Sequence, residues 1–168
     1  MPPLLFLAKM AKEKKIDVTA IIGARTSEFL IYEKELKKLG CKIMISTDDG
    51  SKGHKGFSTH VLEEVLKKEK TDCIYSCGPE LMMLRVADLA KHHKIDCQLS
   101  LERFMKCGFG ICGQCCIDGS GVRICKDGPV FDGKEVLGFS EFGKYRRTSS
   151  GKRIYFGSKP DLTKCEIK

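Results

Sequence analysis

Five of the ten cysteines in this 168-residue chain fall between positions 107 and 125. The run Cys107-Gly108-Phe109-Gly110-Ile111-Cys112-Gly113-Gln114-Cys115 sets three thiols at C-x4-C-x2-C spacing, and Cys125 follows on a separate stretch. That is the plant-type spacing for a [2Fe–2S] cluster, whose fourth thiolate arrives from elsewhere in the chain. A two-iron cluster takes ligands from several directions, so the backbone must wrap closely around it. Gly108, Gly110 and Gly113 permit positive φ and close approach, and they let N–H groups point at sulfur. Asp118-Gly119-Ser120-Gly121 reads as a hairpin turn that returns Cys125. A structural zinc site and unliganded thiols are the competing readings. Zinc sites commonly pair two C-x2-C knuckles, and this chain has one. Cys116 could stand in for Cys115, but the x2 spacing from Cys112 selects Cys115 and turns Cys116 away.

The other cysteines (Cys41, Cys73, Cys77, Cys97, Cys165) are scattered, and Cys41, Cys73 and Cys97 lie in apolar, strand-like contexts that suit buried thiols. Without an export signal, so many cysteines point to metal or redox chemistry rather than to disulfides. Met1-Pro2-Pro3-Leu4 has no basic region ahead of its short apolar run, and no apolar stretch is long enough to span a membrane. A cytoplasmic protein is expected. Hydrophobic content of 42% and charged content of 31% suit a globular chain. Residues 134–168 hold nine Lys and Arg against four Asp and Glu, +5 of the total +8. Such a basic tail could dock on an acidic partner or nucleic acid, or be a solvated extension.

The elements that position the cysteines read as alternating helices and strands over residues 1–101. Pro2 and Pro3 open a helix carrying Leu4, Leu7, Ala8 and Ala11 at helical spacing. Asp17 to Gly23 is a buried parallel strand. Ser27 caps a helix with Phe29, Tyr32, Leu36 and Leu39 on one face, which Gly40 stops. Lys42 to Thr47 is a strand, and 48–57 a polar glycine-rich loop. Thr59 opens a helix with Val61, Leu62, Val65 and Leu66 inward. Asp72 to Ser76 is a strand, Glu80 to Lys94 a helix, and Ile95 to Leu101 a strand. This alternation predicts α/β architecture with a parallel doubly wound sheet. The chain starts on a helix where such a sheet normally starts on a strand and a phosphate-binding turn. Three parts are expected: an α/β domain over 1–101, a cluster-binding segment over 102–133, and a basic tail over 134–168.

Leu101-Glu102-Arg103-Phe104-Met105-Lys106 leads into the cysteine run, and Cys125-Lys126-Asp127-Gly128-Pro129-Val130-Phe131 closes it. With the Gly23-Ala24-Arg25-Thr26 turn, the Thr47-Asp48-Asp49-Gly50-Ser51 loop and the Cys77-Gly78-Pro79 turn, these motifs resemble the electron-transfer subunits of NAD-dependent dihydroorotate dehydrogenases, archaeal forms in particular. That family lies in the ferredoxin reductase superfamily, with an FAD-binding β-barrel, an NAD-binding α/β domain and a C-terminal [2Fe–2S] segment. The resemblance implies that Cys107, Cys112, Cys115 and Cys125 ligate the cluster. It places Arg25, Asp48 and the Cys77-Gly78-Pro79 turn at the NAD and FAD edge of the sheet. It also implies a partner, an FMN-containing catalytic subunit in a heterotetramer. Electrons from dihydroorotate would pass from FMN through the cluster and FAD to NAD, in pyrimidine biosynthesis.

Set against that family, the sequence is expected to lack the flavin barrel and the first strand and glycine-rich turn of the NAD domain. Flavin binding is therefore assigned to no residue, and weak NAD binding is expected. The electron-transfer subunits of related sulfite reductases and cytoplasmic hydrogenases share similar Met-Lys-Cys-Gly motifs, but Lys126 to Phe131 favours the pyrimidine enzyme. A rival from another class is a zinc-stapled nucleic-acid-binding module, suggested by the charge. Aromatic content of 8%, not interleaved with the basic residues, speaks against its stacking platform.

Overall fold

The computed structural model describes residues 2–157 of the chain. Helix α1 (Pro2–Glu13) leads into strand β1 (Thr19–Ala24), a short helix α2 (Glu33–Lys38) and strand β2 (Lys42–Thr47). A two-residue strand β3 (His54–Lys55), helix α3 (Ser58–Lys68), strand β4 (Cys73–Ser76), helix α4 (Glu80–His93) and strand β5 (Asp96–Ser100) follow. Pairing is parallel along β1-β2-β3 and between β4 and β5. The architecture is α/β with parallel sheets, as the alternation predicts, but the strands form two separate three-stranded sheets. Helix α3 packs on β1 and β2 and also on α4.

Two local expectations change. The helix read from Ser27 is broken: a 3-10 turn over Ser27–Phe29 ends on extended Leu30, and Tyr32 then takes a left-handed φ of 62° before α2 starts. The break moves Phe29 out to 66% exposure, while Leu30, Tyr32, Leu36 and Leu39 face the small core around Ala8, Ile22 and Cys41. Periodicity missed this because one kink rotates every later side chain. The loop at 48–57 also carries β3, which pairs its His54 with Ser46. Gly53, at φ +71°, lets that chain pass within reach of the Ile45 carbonyl, where a Cβ would lie 2.1 Å from the oxygen.

The cysteine-rich segment is stitched onto the second sheet. Helix α5 (Ile124–Asp127) is followed by β6 (Val130–Asp132), which runs antiparallel to β5 with Leu99 opposite Phe131. The Leu101 N–H donates to the Pro129 carbonyl at 2.8 Å. One core joins α3, α4 and β5 to Cys115, Ile117, Ile124, Phe131, Val136 and Phe139. Leu99, Ile124 and Val136 are completely buried, each contributing roughly 1.5–3 kcal/mol of transfer free energy.

Residues 134–157 are more than a solvated basic extension. Helix α6 (Gly133–Leu137) starts on a cap in which Asp132 accepts from the Lys134 N–H. Val136, Phe139, Phe142 and Tyr145 bury their side chains. A hairpin of β7 (Tyr145–Arg147) and β8 (Arg153–Tyr155) completes the described chain. Counted over the whole stretch, the charge concealed that residues 135–143 hold no Lys or Arg.

Candidate metal centre

The four cysteines of the C-x4-C-x2-C…C pattern come as two close pairs. The Cys112 N–H donates to Cys107 Sγ at 3.5 Å, and the Cys125 N–H to Cys115 Sγ at 3.4 Å. Positive φ at Gly108, Gly110 and Gly113 curls the 107–113 loop so that its N–H groups face inward. The amides of Cys112 and then Phe109 hold the Cys107 thiol down at about 6, with smaller help from the Cys112 thiol and the Ile111 amide. Its thiolate is thereby favoured. Cys125 shifts the other way, raised first by its hydrogen bond with the Cys115 thiol and then by burial. Cys115 is 3% exposed, so the loop is anchored in the core at one end and open at the other.

Among the described residues, no three Cys, His, Asp or Glu side chains converge as a cage for one metal ion. Two pairs of thiols suit a group with two metal atoms, each needing two thiolates, better than a single tetrahedral zinc needing four. The residues present therefore fit a [2Fe–2S] cluster. Cys116 is turned away, its thiol on the Gly121 carbonyl at 3.3 Å. It also bridges to Arg123 in the returning strand. The Arg123 guanidinium donates to the Gly110 carbonyl at 3.2 Å and to Asp127, so it clamps the loop to the segment bearing Cys125.

The other expected site residues follow the carboxyl ends of parallel strands. Arg25 follows β1 and Asp48 follows β2, and both are exposed. The two loops are joined by Asp48 N–H to Ala24 carbonyl at 3.1 Å and Asp49 N–H to Arg25 carbonyl at 3.3 Å. Ser51 ties them further, accepting from the Ser27 N–H and donating to Asp49. Cys77-Gly78-Pro79 follows β4 on the second sheet and leads into α4. A Cβ on Gly78 would meet Met82 at 2.8 Å.

A buried charge cluster went unread in the sequence. Arg103 donates to both oxygens of Glu80, at 2.8 and 3.3 Å, and to Glu141 at 3.3 Å. These side chains are 8%, 9% and 2% exposed. Glu80 and Glu141 are separated by 61 positions in sequence, so no local pattern signals them. Nearby, Asp118 accepts from Tyr145, Arg147 and Arg153, which ties the hairpin to the cysteine segment.

A parallel α/β domain with a four-thiol loop stitched to its edge is the frame of an oxidoreductase component. Residues 2–88 match the family model of the oxidoreductase NAD-binding domain, and residues 102–137 that of the iron–sulfur cluster binding domain of dihydroorotate dehydrogenase B. The chain is 49% identical over 154 residues to a protein of Methanocaldococcus jannaschii named "Probable dihydroorotate dehydrogenase B (NAD(+)), electron transfer subunit". Proteins of that same name from Methanopyrus kandleri and Pyrococcus furiosus are 44% and 40% identical. The matches cover 92%, 89% and 90% of this chain but 60%, 56% and 58% of those relatives. The chain belongs to the family of dihydroorotate dehydrogenase B electron transfer subunits, and it spans little more than half the length of these relatives. A solved structure of an NADH-dependent reduced ferredoxin-NADP oxidoreductase aligns with a TM-score of 0.68 at 33% identity, over 79% of this chain and 48% of that one.

Proposed function

We propose that this chain carries electrons through a [2Fe–2S] cluster held by Cys107, Cys112, Cys115 and Cys125, between a catalytic partner and a flavin–NAD exit. The observation that carries the reading is the arrangement of two N–H-supported thiol pairs on a glycine-curled loop. When bound, the cluster supplies one-electron transfer and so links dihydroorotate oxidation on the partner's FMN to FAD and NAD. The chain's own residues do the positioning. Cys107 and Cys112 hold one side of the loop, Cys115 and Cys125 the other, and Arg123 keeps them together. Phe104, Met105, Phe109 and Ile111 are between 42% and 79% exposed around those thiols, an apolar surface suited to a partner subunit. Arg25, Asp48 and Cys77-Gly78-Pro79 are assigned to the nucleotide side, because ligands of open α/β sheets bind outside the carboxyl ends of the strands.

The setting is cytoplasmic pyrimidine biosynthesis in a heterotetramer with the FMN-containing subunit. No helix among the described residues is long and apolar enough to cross a membrane. The test is anaerobic purification with metal and sulfide analysis. About two irons and two labile sulfides per chain, with reddish-brown absorbance, are expected. A colourless protein with stoichiometric zinc refutes the reading.

A further inference from the structure

Three charged side chains from distant segments are buried together beside the cysteine segment, and the proposed function uses none of them. Glu80 opens α4 directly after the Cys77-Gly78-Pro79 turn, Arg103 lies four residues before Cys107, and Glu141 follows α6. Each carboxylate also accepts one backbone N–H: Glu80 from Gly143 at 2.7 Å, Glu141 from Asp118 at 3.1 Å. The guanidinium further donates to the Glu102 carbonyl and sits 5.9 Å from the centroid of the Phe142 ring. Stability is a poor reason for this arrangement, because apolar residues of similar volume commonly do as well or better than a buried ion triad.

Charge is the better reason. Two carboxylates against one guanidinium leave one net negative charge in a site that water and salt screen little. The neighbouring Asp118 carboxylate is outweighed by two guanidinium groups, but Arg147 and Arg153 are 27% and 48% exposed and water screens them, whereas the negative charge of the triad is buried. Glu141 touches the backbone of Asp118, three residues after Cys115. Chain reach then places its carboxylate within roughly 13 Å of Cys115. We propose that the Glu80–Arg103–Glu141 triad sets the reduction potential of the cluster, with Glu141 holding it down and Arg103 moderating that effect as a positioning residue. The inference rests on the proposed cluster. Reduction adds one electron, hence one negative charge, which a buried carboxylate nearby disfavours and a buried guanidinium favours.

The experiment is a redox titration of the loaded 168-residue chain, followed by visible absorbance and by the spin-resonance signal of the reduced cluster. At the wild-type midpoint, Glu141→Gln should raise the reduced-to-oxidised ratio roughly ninefold, as Coulomb's law gives over that distance at an effective dielectric near 20. Glu80→Gln should raise it less, Arg103→Gln should lower it, and Arg103→Lys should stay near wild type. Simple loosening of the network would move the Arg103→Gln and Glu141→Gln variants in the same direction, since both break the same contact. Shifts of one sign, or none, therefore overturn the inference. If Arg103→Gln does not load, the two carboxylate variants and Arg103→Lys decide: upward shifts with a wild-type-like lysine support it, and unmoved potentials refute it. A wild-type chain without iron and sulfide overturns the cluster reading and this inference with it. A loaded wild type whose variants do not respond overturns this inference alone.

Discussion

Replacing Arg103 with methionine should be among the most damaging single changes to this fold. Met fills much of the apolar volume of the arginine stem but leaves Glu80 and Glu141 without their shared cation. In place of four contacts at 2.8 to 3.4 Å, each carboxylate would keep one backbone N–H in a site at most 9% exposed. Removing one partner of such a buried pair costs about 3–5 kcal/mol. For a chain of this size, each kcal/mol moves the unfolding midpoint by roughly 2–4 °C, so a fall of about 6–20 °C is expected. Far-UV circular dichroism of the anaerobic protein during heating reads this directly. Adding Glu80→Gln to Arg103→Met should recover part of the loss, because one uncompensated charge is removed. The surface pair Lys67–Glu63, with its lysine side chain 63% exposed, provides the control. A fall for Arg103→Met no larger than that for Lys67→Met would refute the reasoning that Arg103 compensates two buried carboxylates.

Cys112→Ser or Cys125→Ser should abolish the cluster, whereas Cys116→Ser should largely spare it, because the Cys116 thiol already faces Gly121. Iron analysis decides, and iron retained in Cys115→Ser but lost in Cys116→Ser would reverse the ligand assignment. The Tyr145 phenol, which donates to Asp118 and is buried near Glu141, is pushed up to about 12. A value raised above the usual ~10 means that its contribution to hairpin stability is intact below about pH 10 and lost as pH climbs toward 12. An ultraviolet titration should show this late step and Asp118→Asn should move it down; an unmoved step would be evidence against the bond. Gly53→Ala should cost at least about 1–3 kcal/mol, since it adds positive-φ strain to a backbone clash with Ile45. An unfolding midpoint equal to wild type would show that the loop relaxes freely.

Much of this protein is legible from local pattern. Lys42–Thr47 is a strand within the same bounds in sequence and structure, and Val61, Leu62, Val65 and Leu66 bury as their spacing requires. The cysteine spacing, the glycines between the thiols and the turn at 118–121 were readable for the same reason, since each is a matter of a few consecutive residues. The kink at Tyr32 was not, because a left-handed non-glycine residue is held by its surroundings and not by its type. Nor was the burial of Val136, Phe139 and Phe142 after the cysteine segment, which depends on the surface that α4 and β5 present to them. The sequence by itself determined where the thiols lie and what chemistry they suit. Only the tertiary structure decided which charges share a buried site, because Glu80, Arg103 and Glu141 meet through the docking of three segments far apart in the chain. Long-range electrostatics has no period along a sequence, so nothing short of the packed fold could reveal it.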